Sequence, residues 1–276
     1  MHSFRRYSMG TKITLGQFIP GNSPVHLLDP RTKILLMIAY IVLCFLPKTI
    51  FAFIVPFAFI IMTLLIAQIP VHYVVSSVKP IRFLLIFMFL INLFFTQGES
   101  ILFEVWIIRI TRESLHQAVF ITLRLLFLVM GTSLLTLTTS PIALTDGIEQ
   151  LLKPLTIFHF PAHELAMMMS IALRFIPTLM EEVDRIQKAQ AARGADFTSG
   201  NLIQRAKNML PILVPLFVSA FRRADELAMA MESRCYHGGD GRTKMHELKM
   251  QRNDWFAFLI MALYFAATIL LSRVVL

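Results

Sequence analysis

Long apolar runs are the feature that most constrains how this chain folds. Runs of about 15 to 25 residues with few charges recur along its 276 residues, and about 20 residues suffice for a helix to cross a bilayer core of about 30 Å. Only 16% of the residues are charged, against about a quarter in a typical soluble domain. The runs predict an all-α, polytopic membrane protein. Five spans are expected, at 33–46, 49–67, 81–95, 115–138 and 254–271.

Polar segments separate these spans. Residues 1–32 are a basic leader without the features of a signal peptide, and residues 98–114 carry too many charges to span. Residues 69–80 alternate apolar and polar side chains, which predicts an interfacial connector. The net charge of +9 indicates positive-inside topology and contact with anionic lipid rather than nucleic acid.

Charged residues are concentrated in residues 140–253, which hold 14 of the 26 Lys and Arg and 12 of the 17 Asp and Glu. Three amphipathic helices are predicted there, at 143–155, 163–193 and 201–236. They are expected to lie along the membrane or rise out of it. The chain therefore divides into a leader with four spans (1–139), a cytoplasmic or interfacial helical region (140–253) and a C-terminal span (254–276). The leader and the helical region should share the cytoplasmic side, because both are basic and an even number of spans separates them.

Two helix ends in this region carry the same pattern. Asp184, Ala189 and Arg193 align with Asp225, Ala230 and Arg234 as Asp-x4-Ala-x3-Arg. One interpretation is helix capping, because a cation in the last turn complements the helix dipole. The alternative is that two parallel helices present arginines to a common partner, for which the planar guanidinium suits bidentate binding of a carboxylate.

At this point the chain resembles a known family, the T component of energy-coupling factor (ECF) transporters. The resemblance rests on Ala192-Arg193-Gly194, on the stretch from Arg223 to Tyr236, and on a leader signature in 16–24 and 28–33. It implies a non-catalytic transmembrane scaffold in the plasma membrane of a bacterium or archaeon, with a cytoplasmic N-terminus. Its implied partners are two ABC-type ATPase subunits, which bind ATP and Mg, and a membrane-embedded S component for a vitamin or a transition metal ion. No cofactor or metal is expected in this chain.

The resemblance also assigns candidate contact residues. The ATPase-docking residues would be Ala192, Arg193, Gly194, Ser233, Arg234 and Cys235. The residues expected to contact the S component lie on the apolar side of the same helices: Leu165, Met168, Met169, Ala172, Phe175, Ile176, Leu213 and Phe217. Cys235 stands where the family usually has glycine, which weakens the expected glycine cap and leaves Gly238 or Gly239 to end the turn.

Three further features suggest a metal site, an anion site and a charge inside the membrane. His163-Glu164 lacks the second histidine of a zinc-binding HExxH, so a helix start is favoured. Residues 237–242 could bind an anion, but an ordinary polar loop is the favoured interpretation. Arg124 lies inside a predicted span, either snorkelling to the outer interface or pairing with Glu104.

Two other classes of protein compete with the scaffold. A stand-alone secondary transporter usually shows inverted repeats and midplane charges, and a membrane-embedded enzyme needs clustered His, Asp or Glu inside a span. Neither feature is evident in the sequence.

Overall fold

The chain divides into two compact units in the computed structural model. One comprises residues 1–150 with 248–276, and the other comprises 151–247. The described residues are 18–96, 98, 100–105, 108–158, 160–197, 201–238 and 248–274, with only the backbone described at 101–105, 108–109, 202 and 274.

Helices dominate both units, which confirms the all-α class. The α-helices are α1 (Pro24–Leu27), α2 (Pro30–Phe45), α3 (Ile54–Ala67), α4 (Val71–Val78), α5 (Arg82–Phe95), α6 (Arg112–Thr138), α7 (Pro141–Leu152), α8 (Ala162–Ala192), α9 (Leu202–Glu232) and α10 (Arg252–Val274). Short 3-10 helices at Ile50–Phe53, Lys79–Ile81 and Lys153–Phe158 precede or follow them. Two antiparallel strands, β1 (Ile101–Val105) and β2 (Ile108–Thr111), form a hairpin.

Four helical segments in the described part of the chain are long and apolar enough to cross a membrane. They are Ile50–Ala67, Val71–Phe95, Arg112–Thr138 and Arg252–Arg273. The first expected span corresponds to α2, whose 16 residues give a length of about 24 Å, somewhat short of a full crossing. The structure is thus a polytopic membrane protein with four candidate spans and one shorter apolar helix.

One sequence prediction in this unit is wrong in detail, and one element was not predicted. The expected connector at 69–80 is helical from Val71 and continues through a 3-10 turn into α5. The connector and the expected span at 81–95 therefore form a single helical segment of 25 residues. Pro70 serves as the N-cap of α4, and Pro80 lies in the 3-10 turn. The charged segment 98–114 contains the β1–β2 hairpin, which was not predicted, because its mixed charges obscure the alternation of a strand.

The core of this unit forms where α2, α3 and α6 pack closely. Tyr40 is 1% exposed, and its hydroxyl donates a hydrogen bond to the Phe127 carbonyl at 2.9 Å. Gly131 lies directly against the Tyr40 ring, where a side chain would clash. A small residue lets the two helices approach, as is common in membrane helix packing.

The leader signature ends in a buried polar network that joins the starts of α2 and α10. Asp29 caps α2, accepting the Arg31 N–H at 2.9 Å, and its own N–H donates to Asp254 Oδ1 at 2.9 Å. Asp254 also accepts the Gln251 N–H at 2.7 Å. The Lys33 ammonium donates to the carbonyls of His26 (2.9 Å) and Thr138 (3.0 Å). The Leu28–Lys33 motif therefore has a structural use at the helix ends.

His26 extends this network toward the leader. Its Nε2 lies 3.1 Å from the Ile19 carbonyl and its Nδ1 lies 2.7 Å from Ser23 Oγ, so a neutral ring that donates from Nε2 and accepts at Nδ1 satisfies both contacts. Burial lowers the pKa of His26, which favours this neutral form.

Candidate docking site at two helix ends

The first arginine end follows α8, a 31-residue helix that begins and ends within one residue of the predicted bounds. Arg193 is the C-cap residue, and Gly194 takes a left-handed conformation with φ +88°. The Gly194 N–H donates to the Ala191 carbonyl and the Ala195 N–H to the Gln190 carbonyl, both at 3.0 Å. This pattern satisfies the last carbonyls of the helix and turns the chain away.

The second arginine end follows α9 and has the same backbone. Cys235 is left-handed with φ +57°; its N–H donates to the Glu232 carbonyl at 2.8 Å, and the Tyr236 N–H donates to the Met231 carbonyl at 3.1 Å. Each of these bonds is the equivalent, 41 residues later, of a bond at the first end. The expectation that Gly238 or Gly239 would end the turn is therefore wrong, because Cys235 itself adopts the conformation that glycine normally provides.

The side chains at both ends face solvent. Each of the six predicted docking residues is exposed: Ala192, Arg193, Gly194, Ser233, Arg234 and Cys235. The hydrogen bonds that define the two caps run between backbone groups, so the caps form without a guanidinium. Ala189 and Ala230 are also exposed, which leaves the last turn of each helix narrow beside its arginine.

The two helices run antiparallel, so the expected parallel arrangement is wrong. Arg223 donates to Glu182 at 3.4 Å, and Gln190 Nε2 donates to the Pro211 carbonyl at 3.4 Å. At the connecting loop, Asn208 Nδ2 donates to the Asp196 carbonyl at 2.7 Å. As residue numbers increase along α8, the numbers of their contact partners on α9 decrease.

The antiparallel arrangement separates the two arginines. Arg193 lies 11 residues after Glu182, and Arg234 lies 11 residues after Arg223, in opposite directions from the contact between those two side chains. At 1.5 Å per residue each arginine is about 16 Å from that contact along its helix, or about 30 Å from the other arginine. Two such sites cannot share one groove, but they suit two separate partner surfaces.

The apolar residues predicted to contact an S component lie on α8 and α9. Met168, Met169, Leu213 and Phe217 are exposed by 54%, 47%, 42% and 60%, and Ala172 is exposed as well. Leu165, Phe175 and Ile176 are half-buried. The set therefore lies largely on the surface, which fits a face that is covered by lipid or by another protein.

Arg124 lies in α6 and faces two aromatic rings. Its guanidinium carbon is 5.2 Å from the centroid of Phe45 and 4.7 Å from that of Phe120, the distances of cation–π contacts. Within the described residues its Nε has no hydrogen-bond partner. The alternative pairing with Glu104 concerns a side chain outside the described residues.

Comparison with known proteins agrees with this architecture. Residues 21–246 match the CbiQ family, described as cobalt transport protein. A protein of Thermosediminibacter oceani named energy-coupling factor transporter transmembrane protein EcfT is 54% identical over 259 residues, covering 94% of this chain and 97% of that protein. A protein of the same name from Clostridium kluyveri is 55% identical over 95% of this chain and 97% of its own length.

The fold and these likenesses define a multi-pass transmembrane component of a transporter. More specifically, the chain belongs to the CbiQ family, among the transmembrane T components of energy-coupling factor transporters. The resemblance seen in the sequence is thereby confirmed.

Proposed function

We propose that this T component transmits motion between two cytoplasmic ATPase subunits and a membrane-embedded S component, so that ATP hydrolysis drives uptake of a vitamin or a transition metal ion. The chain itself carries no catalytic residues in this proposal, and ATP and Mg bind to the ATPase subunits. The membrane is the plasma membrane of a bacterium or archaeon, with the N-terminus and residues 140–253 on the cytoplasmic side.

The observation that carries the proposal is the duplicated helix end. Two long helices finish in the same backbone cap, each with an exposed arginine and small neighbours. A repeated, solvent-facing arginine about 30 Å from its equivalent fits two equivalent partner subunits, one at each end. The planar fork of each guanidinium would bind carboxylates in a groove of its ATPase subunit.

The exposed apolar face of α8 and α9 supports a second contact. The S component would pack over Met168, Met169, Leu213 and Phe217, and methionines suit a surface that repacks against different partners. Each helix would then carry motion from its arginine end to the face that holds the S component.

Arginine reversal tests the docking proposal. Arg193→Glu and Arg234→Glu should each impair ATPase docking and uptake, because one charge of a buried pair stays unpaired at a cost on the order of 3–5 kcal/mol. The double variant should be worse than either single one, and Arg→Lys should rescue only in part because the fork is lost. Retained ATPase subunits and substrate uptake are measured in membranes. Lys188→Glu and Lys207→Glu are matched controls, since both side chains are exposed on the same helices.

Capping alone leads to a different result. If the arginines only complement the helix dipoles, the reversals slightly lower helix stability and leave full ATPase binding in the folded protein. Normal ATPase binding and uptake in both single variants would contradict the docking proposal. Transport by the purified chain without any ATPase subunit would instead favour a stand-alone transporter.

Charged substitutions on the apolar face test the second contact. Met169→Asp and Leu213→Asp should release the S component while the ATPase subunits stay bound, because each buries a charge in an apolar interface. An S component that is still recovered in a pull-down with both variants would count against this face.

A further inference from the structure

The aligned repeat of α8 and α9 contains an inversion of charge. Residues 181–185 read Glu-Glu-Val-Asp-Arg, and the equivalent residues 222–226 read Arg-Arg-Ala-Asp-Glu. The first, second and fifth positions change sign, whereas the aspartate in the fourth position and the later alanine and arginine are kept. The pattern is therefore the same repeat with three charges reversed.

The structure brings one pair of these inverted positions together. Glu182 and Arg223 are 41 residues apart, the spacing of the repeat, and their side chains form an ion pair at 3.4 Å. A contact between equivalent positions of two antiparallel helices lies on an approximate local two-fold axis. Identical residues there would bring like charges together, and the reversal converts that repulsion into attraction.

The neighbouring charges form ion pairs within each helix and are more exposed than the pair itself. Arg185 lies 4.0 Å from Glu182 on α8, and Arg222 lies 3.9 Å from Glu226 on α9. The side chains of Glu182 and Arg223 are 19% and 31% exposed, whereas those of Arg185 and Arg222 are 76% and 73% exposed. Glu182 and Arg223 are therefore the members of the inverted set that are shielded between the helices, where screening by solvent is weakest.

The pair also lies at the midpoint of the proposed docking system. Arg193 follows Glu182 by 11 residues, and Arg234 follows Arg223 by the same number. The prolines within the two helices all come before these 11-residue segments: Pro177, Pro211 and Pro215. The two 11-residue segments are thus free of proline, the usual cause of a sharp bend. A shift of the helices at the pair would move both arginines together.

We propose that Glu182 and Arg223 are positioning residues that fix where α8 and α9 meet and thereby set the spacing of the two docking arginines. The charge reversal in the repeat favours pairing of α8 with α9. If either helix paired with a copy of itself instead, Glu182 would face Glu182, or Arg223 would face Arg223, and the like charges would repel. This inference rests on the proposed ATPase docking for its consequence in transport, but the pairing of the helices is independent of it.

Charge exchange tests the pair. Spin labels at Lys188→Cys and Met229→Cys, with Cys235→Gly removing the exposed native thiol, report the distance between the two arginine-bearing ends. Glu182→Arg and Arg223→Glu should each broaden that distance distribution and lower uptake about tenfold, with ATPase subunits still bound. The exchange Glu182→Arg with Arg223→Glu should restore a narrow distribution and most of the uptake.

Exposed neighbours provide the matched control. Glu181→Arg and Arg222→Glu make the same changes of charge one residue earlier, at exposed positions, and should leave both measurements unchanged. An exchange variant no better than the worse single variant, or single variants with an unchanged distance distribution, would overturn the proposal. Failure of docking itself has a different signature, because Arg193→Glu and Arg234→Glu would then leave ATPase binding intact whatever the spin labels show.

Discussion

Gly194 and Cys235 show that what the two helix ends share is a backbone conformation. Both residues have a positive φ, and both lie in the same pattern of backbone hydrogen bonds. Glycine adopts this conformation freely, whereas a residue with a Cβ is strained there by about 1 kcal/mol. The second end therefore pays a conformational cost that the first end avoids.

Substitution at these two positions should shift stability in opposite directions. Cys235→Gly should stabilise the end of α9 by about 1 kcal/mol, and Gly194→Ala should destabilise the end of α8 by a similar amount. Among the described residues, a Cβ at Gly194 would meet no atom within 4 Å, so the loss would be conformational rather than steric. Hydrogen exchange of the amides of Ala195 and Tyr236 measures both effects. Slower exchange after Gly194→Ala, or faster exchange after Cys235→Gly, would contradict this assignment.

At the scale of elements, the sequence predicts helices better than it predicts how they pair. The bounds of α8 follow from its apolar stripe, because burial on one side imposes the helical period. The repeat aligned Glu182 with Arg223 but gave no direction for the two helices. Their antiparallel direction is seen only in contacts such as those of Asn208 with Asp196 and of Gln190 with Pro211. The ion pair could have been predicted from the opposite charges at 182 and 223. That contrast becomes visible only when the two copies of the repeat are compared position by position.

The polar network at the starts of α2 and α10 provides a prediction at the same scale. Asp254 is 1% exposed and accepts the N–H groups of Asp29 and Gln251. Asp254→Ala should lower stability by about 3 kcal/mol, because two donors lose a charged acceptor and the one from Asp29 is buried. Asp254→Asn, which keeps one oxygen, should lose about half as much. Thermal unfolding in detergent checks this order, and equal melting temperatures for Asp254→Ala and the unaltered protein would contradict it.

At the scale of the whole molecule, the class of protein could be predicted from the sequence, and the arrangement of its site could not. The apolar runs and the two arginine motifs led to the T component family, which the relatives confirm. The cation–π contact of Arg124 with Phe45 and the opposed directions of the two arginine ends required coordinates, because both depend on residues distant in sequence. In the proposed function, the opposed ends would lead the two arginines to two separate partner surfaces and not to one.

Site-specific cross-linking from both helix ends tests the central claim most directly. A photoreactive amino acid at Ala192 or at Ser233, both exposed beside their arginines, is placed in the T component of the assembled transporter. If the arginines dock as proposed, each position captures an ATPase subunit, and the two positions together capture two subunits per T component. Reversal of the adjacent arginine then abolishes capture at that end. Capture of one and the same subunit by both positions, or of no ATPase subunit by either, would contradict the docking proposal.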